Sequence, residues 1–385
     1  MNYLELLSKL IAFDTTSRNS NRALIDFIAA YLAKYGISSH LSLSSCQTKA
    51  NLVATLPAGD GSLVGGLVLS GHTDVVPVDG QNWSYPPFGL TALDGKVYGR
   101  GTCDMKGFIA VVLSLIPELV GKKLAKPLHL AFSYDEEVGC CGAVGLLEDI
   151  QLRELKPEFC LVGEPTSLAV VTAHKGINVY RVRLLGKASH SSLTNLGCNA
   201  IDYAAELIVA IRQMANQLRA RGEQDLDYDV PYSTMSTNLI SGGIGSNIVP
   251  EQCEFYFELR NLPHLSPSQI LQPIHEFIQT DILPRMQAEF GAATIEITPM
   301  AQVPGLQAGE NQDLAELVQQ VVDCYTINKV AYATEAGLFQ ACNIPTIVCG
   351  PGSIEQAHRP DEFVSVAQLE QCRQLLAAVI QKILN

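Results

Sequence analysis

The sequence predicts an α/β protein with a buried, mostly parallel sheet, into which a smaller ferredoxin-like α+β module is inserted. Three observations carry that expectation. Apolar helices alternate with short, continuous apolar strands over the first 175 residues and again beyond residue 300, the pattern of strands covered on both faces. Between residues 176 and 299 the order becomes strand, helix, strand, strand, helix, strand, the split βαβ arrangement. The chain has 385 residues, 47% of them apolar and 17% charged, enough for two domains and a large core. The larger domain is placed at 1–175 plus 300–385 and the inserted one at 176–299.

In chain order, Tyr3, Leu6, Leu7 and Leu10 repeat at helical spacing, as do Leu24, Phe27, Ile28 and Tyr31 before the stop at Gly36. Strands are predicted over 51–56 and 66–70. A hairpin turn at Asp94-Gly95, a long apolar helix after Asp104, and strands over 129–134 and 158–162 follow. In the inserted module the strands are 178–185, 235–240, 251–260 and 293–299, and the helices 200–217 and 266–290. The polar stretch 219–229 reads as a surface loop. A helix over 312–325, a strand over 346–349 and a last helix over 366–384 return the chain to the α/β pattern.

Lys plus Arg number 26 against 39 Asp plus Glu, a formal charge of -13 without any basic run, which argues against a nucleic-acid or anionic-membrane surface. The longest apolar stretch, 107–120, is broken by Ser114, Pro117 and Glu118, short of the ~18 residues a membrane span needs. The N-terminal MNYLELLSKL has no basic region followed by an apolar core and a cleavage site, so a cytoplasmic protein is expected. Eleven cysteines (46, 103, 140, 141, 160, 198, 253, 324, 342, 349 and 372) lack CxxC spacing. They read as reduced, mostly buried thiols, and Cys103 as an inert one.

The chemistry-bearing residues gather where strands end. The strand into Ser70 is followed by Gly71, His72, Thr73 and Asp74, at the carboxyl edge where open α/β sheets place ligands. Asp104 lies in GRGTCDMKG ahead of an apolar helix, where it reads either as a helix N-cap or as a carboxylate able to bridge two cations. The strand ending at Tyr134 runs into Asp135, Glu136 and Glu137. Three adjacent acids repel one another and call for a positive partner if they face a cleft, or else form a solvated turn. Glu164 follows the next strand in GEPT, and His358 lies in GPGSIEQAHRPDE. Four successive strand ends therefore deliver two imidazoles and several carboxylates, a donor set for zinc, cobalt or manganese. Two ions about 3.5 to 4 Å apart, sharing a bridging carboxylate, would use His72, Asp104, one of the Glu136 and Glu137 pair, Glu164 and His358. The other glutamate is then free as a general base, and Asp74 is free to hold the distal nitrogen of His72.

SGHTDVVP, GRGTCDMKG, FSYDEEVG, GEPT and AHRPDE, in this order, resemble the motifs of the M20 family of dinuclear zinc peptidases and deacylases across essentially the whole chain. That resemblance implies a zinc-peptidase-like catalytic domain and an inserted dimerisation, or lid, domain that closes over substrate. It further implies His72 and Glu164 on one metal, Glu137 and His358 on the other, Asp104 between them, and Glu136 as the general base. His190 in KASHSS matches a histidine that reaches the partner subunit's site to stabilise the oxyanion. Asn247 in GIGSNIVP and Arg260 in ELRNLP match positions around the substrate carboxylate, which a bidentate Arg suits. YATEAGLF at 332–339 and CGPGSIEQAHRPDE at 349–362 resemble the branch that deacetylates N2-acetyl-L-ornithine, a step of arginine biosynthesis. The expected enzyme is thus a homodimeric metallo-amidohydrolase of a small acylated amino acid with two zinc or cobalt ions per subunit. Glu335 is then the candidate partner for the ornithine ammonium, the alternative being a helix N-terminal acid. Rival readings are a desuccinylase of succinyl-diaminopimelate, an M20 exopeptidase, and a non-catalytic metal-binding homologue.

Overall fold

A computed structural model describes residues 1–322 and 327–384, and for Glu310, Val322 and Ile327 the backbone alone. The chain forms two compact units. The first comprises Met1–Ala173, Leu306–Lys329 and Thr334–Asn385, and the second His174–Gly305 with Val330–Ala333.

The main sheet of the first unit has the strand order Ser39–Leu43, Ala50–Leu56, Leu128–Ser133, Leu67–His72, Phe159–Val162, Thr346–Val348, Val170–His174, Ile327–Val330. Its three central ladders are parallel, and the ladders flanking them are antiparallel. Every residue of LVLSGH and of LHLAFS in the two middle strands is buried, which explains their continuous apolar runs. Because the central strands run the same way, the loops after His72, Ser133, Val162 and Val348 all leave from one edge.

The helix Lys106–Leu119 is buried on nearly its whole circumference, as KGFIAVVLSLIPEL allows, and forms the middle of the core. Tyr3–Ile11 starts with a reciprocal cap: Glu5 N donates to Asn2 Oδ1 (2.9 Å) and Asn2 N to Glu5 Oε2 (3.0 Å). It buries Leu6, Leu7, Leu10 and Ile11. One glycine matters for the site: a Cβ on Gly163 would lie 2.0 Å from the ring of Phe108. Only a bare Cα lets the central helix press against the strand end that carries Glu164. Asp94 and Gly95 turn the hairpin between Thr91–Leu93 and Lys96–Tyr98, both at positive φ (50° and 72°) as a type I′ turn requires.

The second unit has a four-stranded antiparallel sheet in the order Thr234–Gly242, Gln252–Asn261, Gly176–Leu185, Thr294–Val303. Helix Ala200–Arg221 and helix Pro267–Phe277 belong to it, the latter continuing through a π-turn, Ile278–Ile282, into Leu283–Glu289. Alternating burial in GINVYRVRLL and QCEFYFELRN sends Val182, Leu184, Phe255 and Phe257 to a core shared with Leu207, Ile211 and Ile274. The chain order strand, helix, strand, strand, helix, strand is the ferredoxin-like one.

The helix expected over 312–325 is observed as Gln312–Val322, and its remaining positions, with Cys324, lie outside the described residues. Ten cysteines are free among the described residues, and no described helix is long and apolar enough to cross a membrane.

Candidate metal centre

Six side chains of the first unit converge at the carboxyl edge of its sheet. His72 Nε2 lies 2.9 Å from Asp104 Oδ1 and 3.6 Å from Glu164 Oε1. His358 Nε2 lies 3.0 Å from Glu137 Oε2 and 3.5 Å from Asp104 Oδ2. Asp104 thus turns one oxygen to each histidine. Ligand atoms of His72, Glu136 and Glu164 fall within 4.8 Å of one another, and so do those of His72, Asp104 and Glu137.

Asp104 does not cap the following helix. Met105 occupies that position without a side-chain cap bond, and the aspartate carboxylate is spent on the two imidazoles instead. The peptide bond between Asp104 and Met105 is cis. The third acid of the triple has its own cation: Lys49 Nζ donates to both oxygens of Asp135, at 2.5 and 2.7 Å. Among the described residues, no lysine or arginine pairs with Glu136 or Glu137 in this way. Burial pushes Glu136 up to about 8 and Glu137 up to about 7, with neighbouring carboxylates adding to the push, and it drives Glu164 well above the usual carboxylate range. Despite its own burial, Asp104 is held well below that range by hydrogen bonds with His358 and His72. Hydrogen bonds to Asp104 and Glu137 raise His358 to about 10.

A largely buried cluster in which three of the four carboxyls are pushed upward by burial, and both histidines are raised by the carboxylates around them, is short of positive charge. Glu164 Oε1 is also buried without a hydrogen-bond partner, an oxygen left for something other than a protein donor. The donors are imidazole nitrogens and carboxylate oxygens, with no thiolate, and so they fit borderline divalent ions.

Asp74 supports this cluster more broadly than its spacing to His72 foretells. Its Oδ2 accepts from Ser17 Oγ (2.7 Å) and from the Glu137 N–H (3.3 Å), and its Oδ1 accepts from the Glu136 N–H (3.1 Å). His72 Nδ1 lies 2.9 Å from the main-chain oxygen of Asp74 and 3.5 Å from the carboxylate, which assigns its proton to that carbonyl and turns Nε2 inward.

Glu335 sits differently from a residue awaiting a substrate ammonium. It is fully buried, Oε1 accepts from Ser70 Oγ (2.6 Å) and Oε2 from Ser133 Oγ (2.7 Å). Both oxygens are occupied inside the sheet layer, so the carboxylate ties the His72 strand to its neighbour instead of facing solvent. His190, Asn247 and Arg260 belong to the second unit. His190 is exposed in the short strand Ser189–His190, with Nδ1 2.8 Å from Ser192 Oγ, and the Ser191 N–H donates 3.0 Å to the main-chain oxygen of Asn247. Arg260 is half-buried, and its Nε donates 2.6 Å to Glu258 Oε1.

Sequence reasoning did not single out Glu362, Arg100, Gln81 or Lys49. Arg100 and Glu362 lie inside quoted motifs, and a charged residue fixed among glycines was the only local hint.

Residues 68–382 match the model of peptidase family M20/M25/M40. The chain is 37% identical to the acetylornithine deacetylase of Pasteurella multocida (strain Pm70) over 387 residues, 98% of this chain and 97% of that protein. Its fold is similar to the crystal structure of an M20 family metallo-carboxypeptidase from Sulfolobus solfataricus, with a TM-score of 0.79 at 18% identity over 100% of this chain and 99% of that one. It is also similar to that of the Bacillus subtilis YXEP protein, a dinuclear metal-binding peptidase, with a TM-score of 0.65 at 14% identity over 98% and 96%. The match runs through every strand end that supplies the clustered side chains, and the chain belongs to peptidase family M20/M25/M40, a metallohydrolase family.

Proposed function

We propose that this enzyme hydrolyses the amide bond of N2-acetyl-L-ornithine to L-ornithine and acetate, a step of arginine biosynthesis, as a cytoplasmic homodimer with two zinc or cobalt ions per subunit. The observation that carries the hydrolytic reading is Asp104, which offers one oxygen to each of two histidine–carboxylate pairs. The acyl and amino-acid specificity is supported by the 37% identity to an acetylornithine deacetylase over nearly the whole chain.

His72 and Glu164 would hold one ion, Glu137 and His358 the other, and Asp104 would bridge. Divalent ions in such a site supply Lewis acidity to an acyl carbonyl and bring the pKa of a water toward ~7. Glu136 takes a proton from the attacking water and delivers it to the departing α-amine, so that one carboxylate serves as base and then as acid. Asp74 holds the main chain of Glu136 and Glu137 while its own carbonyl fixes the tautomer of His72. His190 is assigned to the oxyanion of the partner subunit's substrate, reached through dimerisation of the second unit, where one such donor is worth roughly 100- to 1000-fold in turnover. Asn247 and Arg260 are assigned to the α-carboxylate, with Glu258 fixing the guanidinium by its 2.6 Å bond. Glu335 is assigned to bracing the strand ends through Ser70 and Ser133.

Steady-state rates on N2-acetyl-L-ornithine, N-succinyl-LL-diaminopimelate and a panel of dipeptides test the specificity. The highest kcat/KM on the acetylated substrate is expected. A higher value on the succinylated substrate or on a dipeptide would replace this reading with a desuccinylase or an exopeptidase, and none on any would leave a binding homologue.

A further inference from the structure

We infer that Glu362, acting with Arg100 and Gln81, is a positioning residue that locks Asp104 and His358 together and thereby sets the affinity of the Glu137/His358 metal position; this rests on the dinuclear reading above. The Glu362 side chain is wholly buried. Its Oε1 accepts from the N–H groups of Cys103 (2.8 Å), Asp104 (3.0 Å) and Gly101 (3.1 Å), and its Oε2 from Gly101 N–H (3.0 Å) and Arg100 Nη1 (2.6 Å). A carboxylate seated in a ring of main-chain donors fixes the shape of the loop 101–104, and with it the direction of Asp104. The main chain of Glu362 is pinned as well, its carbonyl accepting from the Gly99 N–H at 2.9 Å.

The connection continues to the other side of the site. Arg100 Nη2 donates 2.8 Å to Gln81 Oε1, and Gln81 Nε2 donates 2.9 Å to the main-chain oxygen of His358. Trp83 Nε1 adds a 3.0 Å bond to the same Gln81 oxygen, and the Arg100 guanidinium lies 5.1 Å from the centre of its rings. His358, Gln81, Arg100, Glu362 and Asp104 thus form one path, closed by the approach of His358 Nε2 to Asp104 Oδ2.

The two metal positions depend on this path unequally. His72 ends a strand paired on both sides, and Glu164 follows the adjacent strand by two residues, so the sheet itself fixes their separation. His358 has no strand beneath it. It sits in a loop at positive φ (63°) with 54% of its side chain exposed, and the Gln81 bond is what ties its main chain down. Loosening the path at Gln81 should therefore release the Glu137/His358 position while sparing the other, whereas Glu362→Gln, which frees the shared Asp104, should weaken both.

The test uses the full-length enzyme, Gln81→Ala and Glu362→Gln, titrated stepwise with zinc against a competing chelator and with cobalt followed by its visible absorption. Gln81→Ala removes the bond to His358, together with the Arg100 and Trp83 bonds to Gln81 Oε1, from a half-buried residue, leaves the Glu362 bonds to the loop 101–104 in place, and so keeps the test open if Glu362→Gln folds poorly. We expect two equivalents in the wild type. In Gln81→Ala we expect a first equivalent within threefold of wild-type affinity and a second weakened roughly 10- to 100-fold, the range found when outer partners of metal ligands are removed. Wild-type kcat should return at saturating metal. Two unchanged steps in Gln81→Ala, or two equally weakened ones, overturn the brace. A wild type that holds one ion overturns the dinuclear reading and the brace with it.

Discussion

Removing the Asp74 carboxylate should loosen Glu136 and Glu137 more than it disturbs His72. Asp74 is 2% exposed and accepts three hydrogen bonds, from Ser17 Oγ at 2.7 Å, Glu136 N at 3.1 Å and Glu137 N at 3.3 Å. Asp74→Ala strands all three donors in a dry setting, at about 1–3 kcal/mol for each, with the longest bond at the low end. The sum is roughly 3–7 kcal/mol, a large share of the ~5–15 kcal/mol that holds a typical domain together. Asp74→Asn keeps the shape and one acceptor oxygen but loses the charge, so its cost should be about 1–2 kcal/mol. His72 keeps its 2.9 Å bond to the Asp74 main chain in either variant. Metal affinity in Asp74→Asn should therefore fall by roughly tenfold, the low end for such partners, while kcat falls further as Glu136 loses its fixed main chain. Urea unfolding of the metal-free protein gives the first quantity, chelator competition the second and steady-state kinetics the third. Wild-type stability, affinity and kcat in Asp74→Asn would refute this account of the residue.

Three other outcomes follow from the same geometry. Glu136→Gln should retain both metal equivalents and lose roughly 100- to 10,000-fold in kcat, measured by acetate release; near-normal turnover would remove Glu136 as the base. Gly163→Ala places a Cβ 2.0 Å from the Phe108 ring and should cost ~1–3 kcal/mol or more in urea unfolding, relieved in part by adding Phe108→Leu; an unchanged midpoint would contradict the close approach. His174 is buried, with its Nε2 unpartnered, and burial depresses it to about 4 from the usual 6.5. Below pH 6.5 the unfolded chain takes up a proton that the folded chain refuses. Stability is therefore full above that pH and declines as pH falls toward 4, by roughly 2 kcal/mol at pH 5. The acid-side slope of the urea midpoint should be shallower in His174→Phe, and parallel slopes would contradict the assignment.

The sequence makes the layered fold and the convergence of strand ends readable because both rest on local periodicity. Continuous apolar runs mark the covered central strands, alternation marks the second unit's sheet, and polar residues at each strand's carboxyl end must fall on one edge once the strands run parallel. What escapes is whatever depends on contacts between distant segments. Arg100 and Glu362 meet across 262 positions, and nothing in either motif states which charge faces which. Lys49 answers Asp135 from 86 positions away. Glu335 shows the same limit from the other side: its motif marks it as special, but only the fold shows Ser70 and Ser133 occupying its oxygens. Asp104 combined both problems, since its place before an apolar helix is equally that of a cap until His72 and His358 are seen on either side of it.

The most direct test of the central claim is acetate release from N2-acetyl-L-ornithine by metal-free enzyme titrated with zinc or cobalt. Activity that rises with the first ion and saturates near two equivalents is the predicted result. Two ions bound at any loading without acetate release would contradict the deacetylase assignment.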